Sequence, residues 1–101
     1  MADKVIVLWR DIPAQVIVKK GRRTAKRELA ARFAEAIDMA AMRSGAAGTD
    51  DYLAEWRRAD PEPVSDDLEA EAEKAAMEIE ALWPRDRLVE VARNGGRATD
   101  E

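Results

Sequence analysis

The sequence predicts an α+β fold in which an N-terminal antiparallel β-hairpin packs against three to four helices. Three observations carry this. Val5-Ile6-Val7-Leu8-Trp9 and Ala14-Gln15-Val16-Ile17-Val18-Lys19 are apolar, largely β-branched runs separated by a short link that holds Pro13. From Leu29 onward the apolar residues recur at helical spacing instead. The chain has 101 residues, which fits one domain, so hairpin and helices must share a single core.

The first run is long enough for a strand, and Arg10-Asp11-Ile12-Pro13 breaks it. Pro13 lacks a backbone donor and belongs in a turn or at a strand start. A lone hairpin is marginal in water, so this one must pack on helices. Residues 5–9 are all apolar, which predicts a strand covered on both faces or paired with another chain. A homodimer through the hairpin edge is one form of that pairing. Lys19-Lys20-Gly21-Arg22-Arg23 then forms a basic turn, with Thr24 a candidate N-cap for the first helix. Leu29, Phe33, Ala36, Ile37 and Ala40 make its apolar stripe, and Gly45 and Gly48 end it.

Thr49-Asp50-Asp51 opens a second helix, with Tyr52, Leu53 and Trp56 inward and Arg57 and Arg58 near its end. Asp60-Pro61-Glu62-Pro63 is a stiff acidic linker, and a short third strand can form near Glu62–Val64. Ser65-Asp66-Asp67 caps a third helix with the stripe Leu68, Ala72, Ala75, Ala76, Ile79, Leu82 and Trp83. Glu69, Glu71, Glu73, Glu78 and Glu80 lie opposite that stripe and are expected in solvent. Pro84 ends or kinks this helix. Arg85–Arg93 is a short final helix with Leu88, Val91 and Ala92 inward, closed by Asn94-Gly95-Gly96. The domain spans residues 1–96, and residues 97–101 read as a disordered tail.

Composition bounds the chemistry. Ala supplies much of the apolar content, so Trp9, Phe33, Tyr52, Trp56 and Trp83 must fill much of a thin core. Trp56 and Trp83 fit that role by helical spacing. Trp9 has an alternative: beside Arg10-Asp11 it could stand at an exposed sheet edge as an interface anchor. With no cysteine there is no disulfide and no thiolate nucleophile or ligand. With no histidine, the commonest general base and transition-metal ligand are gone, and Ser–His and Cys–His triads are impossible. No metal, no cofactor and no catalytic residue is expected, and the chain reads as a non-enzyme. Met1–Val7 holds Asp3 and Lys4 within a short apolar run, which fits neither a signal peptide nor a membrane span. The expected compartment is the cytoplasm.

Charge is split along the chain. Residues 1–45 hold ten Lys/Arg and five Asp/Glu, and residues 46–101 hold seven and sixteen. Either the halves neutralise each other in the fold or they present separate partner surfaces. The basic turn, continued by Lys26, Arg27 and Arg32, is the sharpest local feature. Placed before a helix N-terminus, it could bind phosphate, nucleic-acid backbone or an acidic protein surface, or simply be solvated. It lacks the Walker A spacing. The acidic helix lacks calcium-loop spacing, and solvation is its plain reading. The candidate partner-binding residues are Trp9, Arg10, Asp11, Gln15, Lys19, Lys20, Arg22 and Arg23.

The run from Lys4 to Val18 (KVIVLWRDIPAQVIV) resembles the small bacterial "virulence factor" domain family. Lys20–Arg23, Arg32–Asp38 and Tyr52–Arg57 extend the resemblance over most of residues 4–93. That family includes stand-alone chains and a domain within longer conserved virulence factor C-like proteins. It brings no established catalytic residues. It implies an accessory role, in the neighbourhood of corrinoid- and folate-dependent methyl transfer such as cobalamin-dependent methionine synthesis. The expectation from the sequence is therefore a protein-binding adaptor or accessory subunit, whose partner could be a corrinoid or folate methyl-transfer enzyme. The alternative is a nucleic-acid or phosphate-binding module acting through residues 19–27.

Overall fold

The computed structural model describes residues 1–48 and 50–98. In chain order it contains β1 (Ala2–Trp9), β2 (Ile12–Lys20), β3 (Arg23–Glu28), α1 (Ala31–Arg43), α2 (Asp50–Ala54), β4 (Trp56–Arg58), β5 (Glu62–Val64), α3 (Leu68–Leu82) and α4 (Arg85–Arg93). The α+β class and the N-terminal hairpin are as the sequence predicts. Thr49, the expected cap of the second helix, and residues 99–101 of the expected tail lie outside the described residues.

β1 is the centre of an antiparallel sheet of order β3-β2-β1-β4, with β5 also paired to β1. β4 covers Val7–Trp9 and β5 covers Ala2–Lys4 along the same edge of β1. Between them the Ala59 N–H donates to the Ile6 carbonyl at 2.9 Å. β2 is covered on its other side by β3. Both edges of the β1–β2 hairpin are thus filled by the chain itself, which removes the hairpin edge as a dimerisation edge. The apolar run 5–9 is a central strand, and its pairing demand is met internally.

Two strands were not legible as strands. Arg23–Glu28 continues the hairpin into a meander instead of starting a helix, and Thr24 pairs with Lys19 rather than capping. Its sequence RTAKRE is charged on both faces, which is what protects an edge strand and what hides it from pattern reading. Only Ala25 is buried in it. The helix begins at Ala31. Likewise the second helix is one short turn, and Trp56-Arg57-Arg58 leaves it to pair with β1. The strand suggested at Glu62–Val64 is present as β5.

One core joins the sheet to the helices. α3 lies on β2 and β3, while α1 packs on α4 and β2. Trp9, Ile12, Val16, Val18, Phe33, Ile37, Leu68, Ala72, Leu88 and Ala92 belong to it. Small alanines on α3 let that helix approach the sheet closely. Asp67 caps α3 through Ala70 N–H at 3.2 Å, in the capping run the sequence marks. Leu82 departs from the predicted stripe, since it is 64% exposed at the helix end.

The ends of α1 and α3 cap each other. The Glu80 carboxylate accepts from Ala30 N–H at 3.0 Å, at the start of α1. The Arg32 guanidinium donates to the Glu80 carbonyl at 2.9 Å and to the Trp83 carbonyl at 3.3 Å, at the end of α3. Each helix end thereby finds a group of the right sign for its dipole. Glu80 and Arg32, expected in solvent and in the basic patch respectively, are structural. Arg87 stacks over the Trp83 ring at 4.0 Å.

Candidate functional site

Three surfaces come into question: the β1–β2 turn, the basic β2–β3 turn, and a cleft between the sheet and α1.

The β1–β2 turn is the two-residue link Arg10-Asp11, and Arg10 holds a φ of 53°, where side chains other than glycine are strained. Bonds on all sides hold it there. Arg10 N–H donates to the Glu55 carbonyl at 3.1 Å, and Asp11 N–H donates to the Gly96 carbonyl at 2.9 Å. The Arg10 guanidinium donates to the Gly95 carbonyl at 2.8 Å and lies 4.9 Å over the Trp9 ring. Its Nε reaches Glu55 at 3.5 Å, an ion pair without hydrogen-bond geometry. Arg57 donates to the Arg10 carbonyl at 2.8 Å and pairs with Asp11 at 3.3 Å. The other Asp11 oxygen accepts from Ala98 N–H at 2.8 Å. Arg97 adds an ion pair to Glu55 at 3.7 Å. Arg97 and Ala98, read from sequence as the start of a loose tail, are therefore tied to the turn.

Trp9 at the base of this knot is fully buried. Its indole N–H donates to the Tyr52 carbonyl at 2.9 Å. Gly96, at φ 87°, passes so close that a Cβ there would sit 2.9 Å from Trp9 Cζ3. Trp9 cannot touch a partner, and the groups of Arg10 and Asp11 are committed within the chain. The most distinctive stretch of the sequence is thus a structural lock: Trp9 drops out of the candidate interface, and Arg10 and Asp11 are tied within the chain.

The basic turn is exposed, but it joins two strands. No helix N-terminus follows Gly21, so the dipole invoked for an anion site is absent. Lys20 pairs with Asp66 at 2.7 Å and Arg27 with Glu69 at 2.6 Å. Lys4 similarly meets Glu62 at 3.1 Å. The basic half of the chain is in part neutralised by the acidic half. The hydrogen bond from Lys20 holds the Asp66 carboxyl below its ordinary value of 3.8. The Ser65 hydroxyl does the same for Glu71 against 4.5, donating at 2.6 Å. Lys19, Arg22, Arg23 and Lys26 have no ion pair among the described residues and face solvent.

The cleft is the site that sequence reasoning missed. Its volume is about 370 Å³, and its floor is a single cross-strand row. Val7 pairs with Gln15, and Gln15 pairs with Glu28, so the row crosses β1, β2 and β3. Arg58 extends the row on β4, opposite Val7. Leu29, Ala34, Ile37 and Asp38 form the α1 side, and Tyr52 and Trp56 the third wall. The two rings meet edge to face, with centroids 6.0 Å apart and planes at 84°. Trp56 is 36% exposed, contrary to the core role its spacing suggested. Of the eight predicted partner residues only Gln15 lines the cleft. A second, shallower concavity shares Val7, Gln15 and Trp56 and adds Arg57 and Arg58. On the other side Asp38 leads onto an open apolar strip of α1 with Met39 and Met42, the latter 73% exposed.

Among the described residues no group of three or more potential ligands could hold a metal ion. No described helix is long and apolar enough to cross a membrane. The family model described as "Virulence factor" matches residues 7–91, so the chain belongs to that family. No curated protein and no solved structure matches it.

Proposed function

We propose that this member of the virulence factor family is a non-catalytic, protein-binding adaptor or accessory subunit that recognises its partner through the Trp56 cleft. The observation that carries the reading is a large aromatic side chain, Trp56, standing half in solvent beside an open concavity. Tryptophans in such positions supply a large share of binding energy at protein interfaces. Met39 and Met42 continue the surface with side chains that adapt their shape to a partner. The accessory role in corrinoid- or folate-dependent methyl transfer rests on the family resemblance alone. It names which partner to look for.

The test is affinity copurification of the tagged chain from its native host, with mass spectrometry, alongside Trp56→Ala and a nuclease-treated control. The adaptor reading expects one protein recovered stoichiometrically by the wild type and lost by Trp56→Ala. Recovery of a corrinoid or folate methyl-transfer enzyme supports the pathway; a stoichiometric partner of another kind removes it. If no partner survives washing in either sample, the adaptor reading fails.

A second reading is a nucleic-acid or phosphate-binding module. It rests on Lys19, Arg22, Arg23 and Lys26, which are exposed and not ion-paired among the described residues. Four phosphate contacts would give binding that falls with salt at a log–log slope of about −3 to −4. A flat salt dependence with RNA and duplex DNA removes this reading.

A further inference from the structure

We infer that the cleft receives a Lys or Arg side chain projecting from the partner protein, with its cationic head between Glu28 and Asp38. This deepens the adaptor reading and rests on it. Four features of the cleft point the same way. First, the row Val7, Gln15 and Glu28 sets a carboxylate at one end of the cleft floor, and Arg58, the next residue of the row, lies outside the cleft in the adjoining concavity. Second, Glu28 and Asp38 both line the cleft, and neither has an ion pair or a side-chain hydrogen bond among the described residues. Five other carboxylates beside the sheet, Asp11, Glu55, Glu62, Asp66 and Glu69, each meet a cation. Third, Tyr52 and Trp56 stand perpendicular to each other, and an aromatic ring face in such a corner attracts an alkyl-ammonium or guanidinium group. Fourth, the remaining wall of Val7, Leu29, Ala34 and Ile37 is apolar, matching the methylene stem behind such a head.

The occupant is a protein side chain and not a free small cation, because the recognition surface does not end at the cleft. Asp38 is shared with the Met39–Met42 strip, so a ligand filling the cleft emerges directly onto exposed apolar surface. An apolar residue flanking the inserted cation in a partner segment would cover it. The Gln15 side-chain amide, in the middle of the floor, can donate to and accept from that segment's backbone.

The test uses the full chain, labelled with nitrogen-15, titrated with acetyl-Ala-Leu-Lys-Leu-Ala-amide and with the same peptide carrying norleucine in place of lysine. Lysine binding is expected to shift the Trp56 indole and Gln15 side-chain amide signals. The norleucine peptide should bind about tenfold more weakly. Glu28→Gln and Asp38→Asn should each weaken the lysine peptide about threefold, and Arg58→Ala should tighten it about twofold. These changes of exposed groups leave the fold intact, and unchanged melting curves check that. Equal binding of the two peptides would overturn the inference while leaving the adaptor reading in place. Absence of any shift at Trp56 with the lysine peptide would overturn the inference as well. The adaptor reading itself falls separately, when no partner copurifies, and its siting at the cleft falls when Trp56→Ala keeps the partner.

Discussion

Trp9 and Trp56 are register partners on neighbouring strands, and Tyr52 lies between them with centroids 5.8 Å from one and 6.0 Å from the other. Yet Trp9 is fully buried and Trp56 is 36% exposed. The difference comes from what the chain lays on each. Over Trp9 fold the Arg10 guanidinium and the Gly95-Gly96 turn, and the indole N–H is bonded to the Tyr52 carbonyl. Beyond Trp56 the chain supplies only the edge of β4, and the carboxylates of the adjoining cleft stay unpaired. Two identical side chains a strand apart thus serve as a lock and as a contact surface, and saturation of their surroundings tells them apart.

The contrast is broken most forcefully at Trp9. Trp9→Ala empties the core and is expected to cost about 3–5 kcal/mol, visible as a large fall in denaturation midpoint. Gly96→Ala presses a methyl group onto the same ring from a left-handed backbone position, and about 2–4 kcal/mol is expected. Equal stability of either variant with wild type would contradict the lock. Arg32→Ala removes the guanidinium that closes α3 and is expected to cost about 1.5–3 kcal/mol by the same measurement. A loss well below that would mean that water replaces Arg32 at those carbonyls.

Trp56→Ala sharpens the other half. It should lower stability by about 1 kcal/mol or less, because the ring is only partly covered. A loss comparable to that of Trp9→Ala would make Trp56 a core residue after all. The smallest effect concerns the clip between Lys20 and Asp66. Its carboxylate is depressed by the lysine, so the contribution is complete above the ordinary value of 3.8. It disappears as pH falls through the lower folded-state value. Amide protection in the β2–β3 turn, taken relative to the intrinsic exchange rate at each pH, should fall there in the wild type, and Asp66→Asn should show no such step. An identical step in Asp66→Asn would place its origin elsewhere.

The same two tryptophans show what the sequence could convey. The hairpin runs, the α3 stripe with its Asp67 cap, and the α4 stripe were legible because periodicity and capping are local. β3 and β4 were not. RTAKRE carries the charges of an edge strand, and WRR is too short to show alternation. Reading Trp56 as helical sent it inward, whereas its pairing with Trp9 turns it toward the cleft. Trp9 beside Arg10-Asp11 looked exposed because both neighbours are charged. They are tied down by Glu55, Arg57 and residues 95–98, far away in the chain. The cleft itself unites Val7, Gln15, Glu28, Asp38 and Trp56, and no spacing rule links those positions. That Asp11, Glu55, Glu62, Asp66 and Glu69 meet cations while, among the described residues, Glu28 and Asp38 do not is decided only in three dimensions.

The most direct test of the central claim, that recognition lies at the cleft and not at the turns, compares Trp56→Ala with the double variant Arg22→Glu/Arg23→Glu. Each would be assayed for partner capture and for melting temperature in the same preparation. Trp56→Ala is expected to lose the partner while melting within a few degrees of wild type, and the double variant is expected to keep it. Capture retained by Trp56→Ala and lost by the double variant would contradict the claim and move the interface to the basic hairpin.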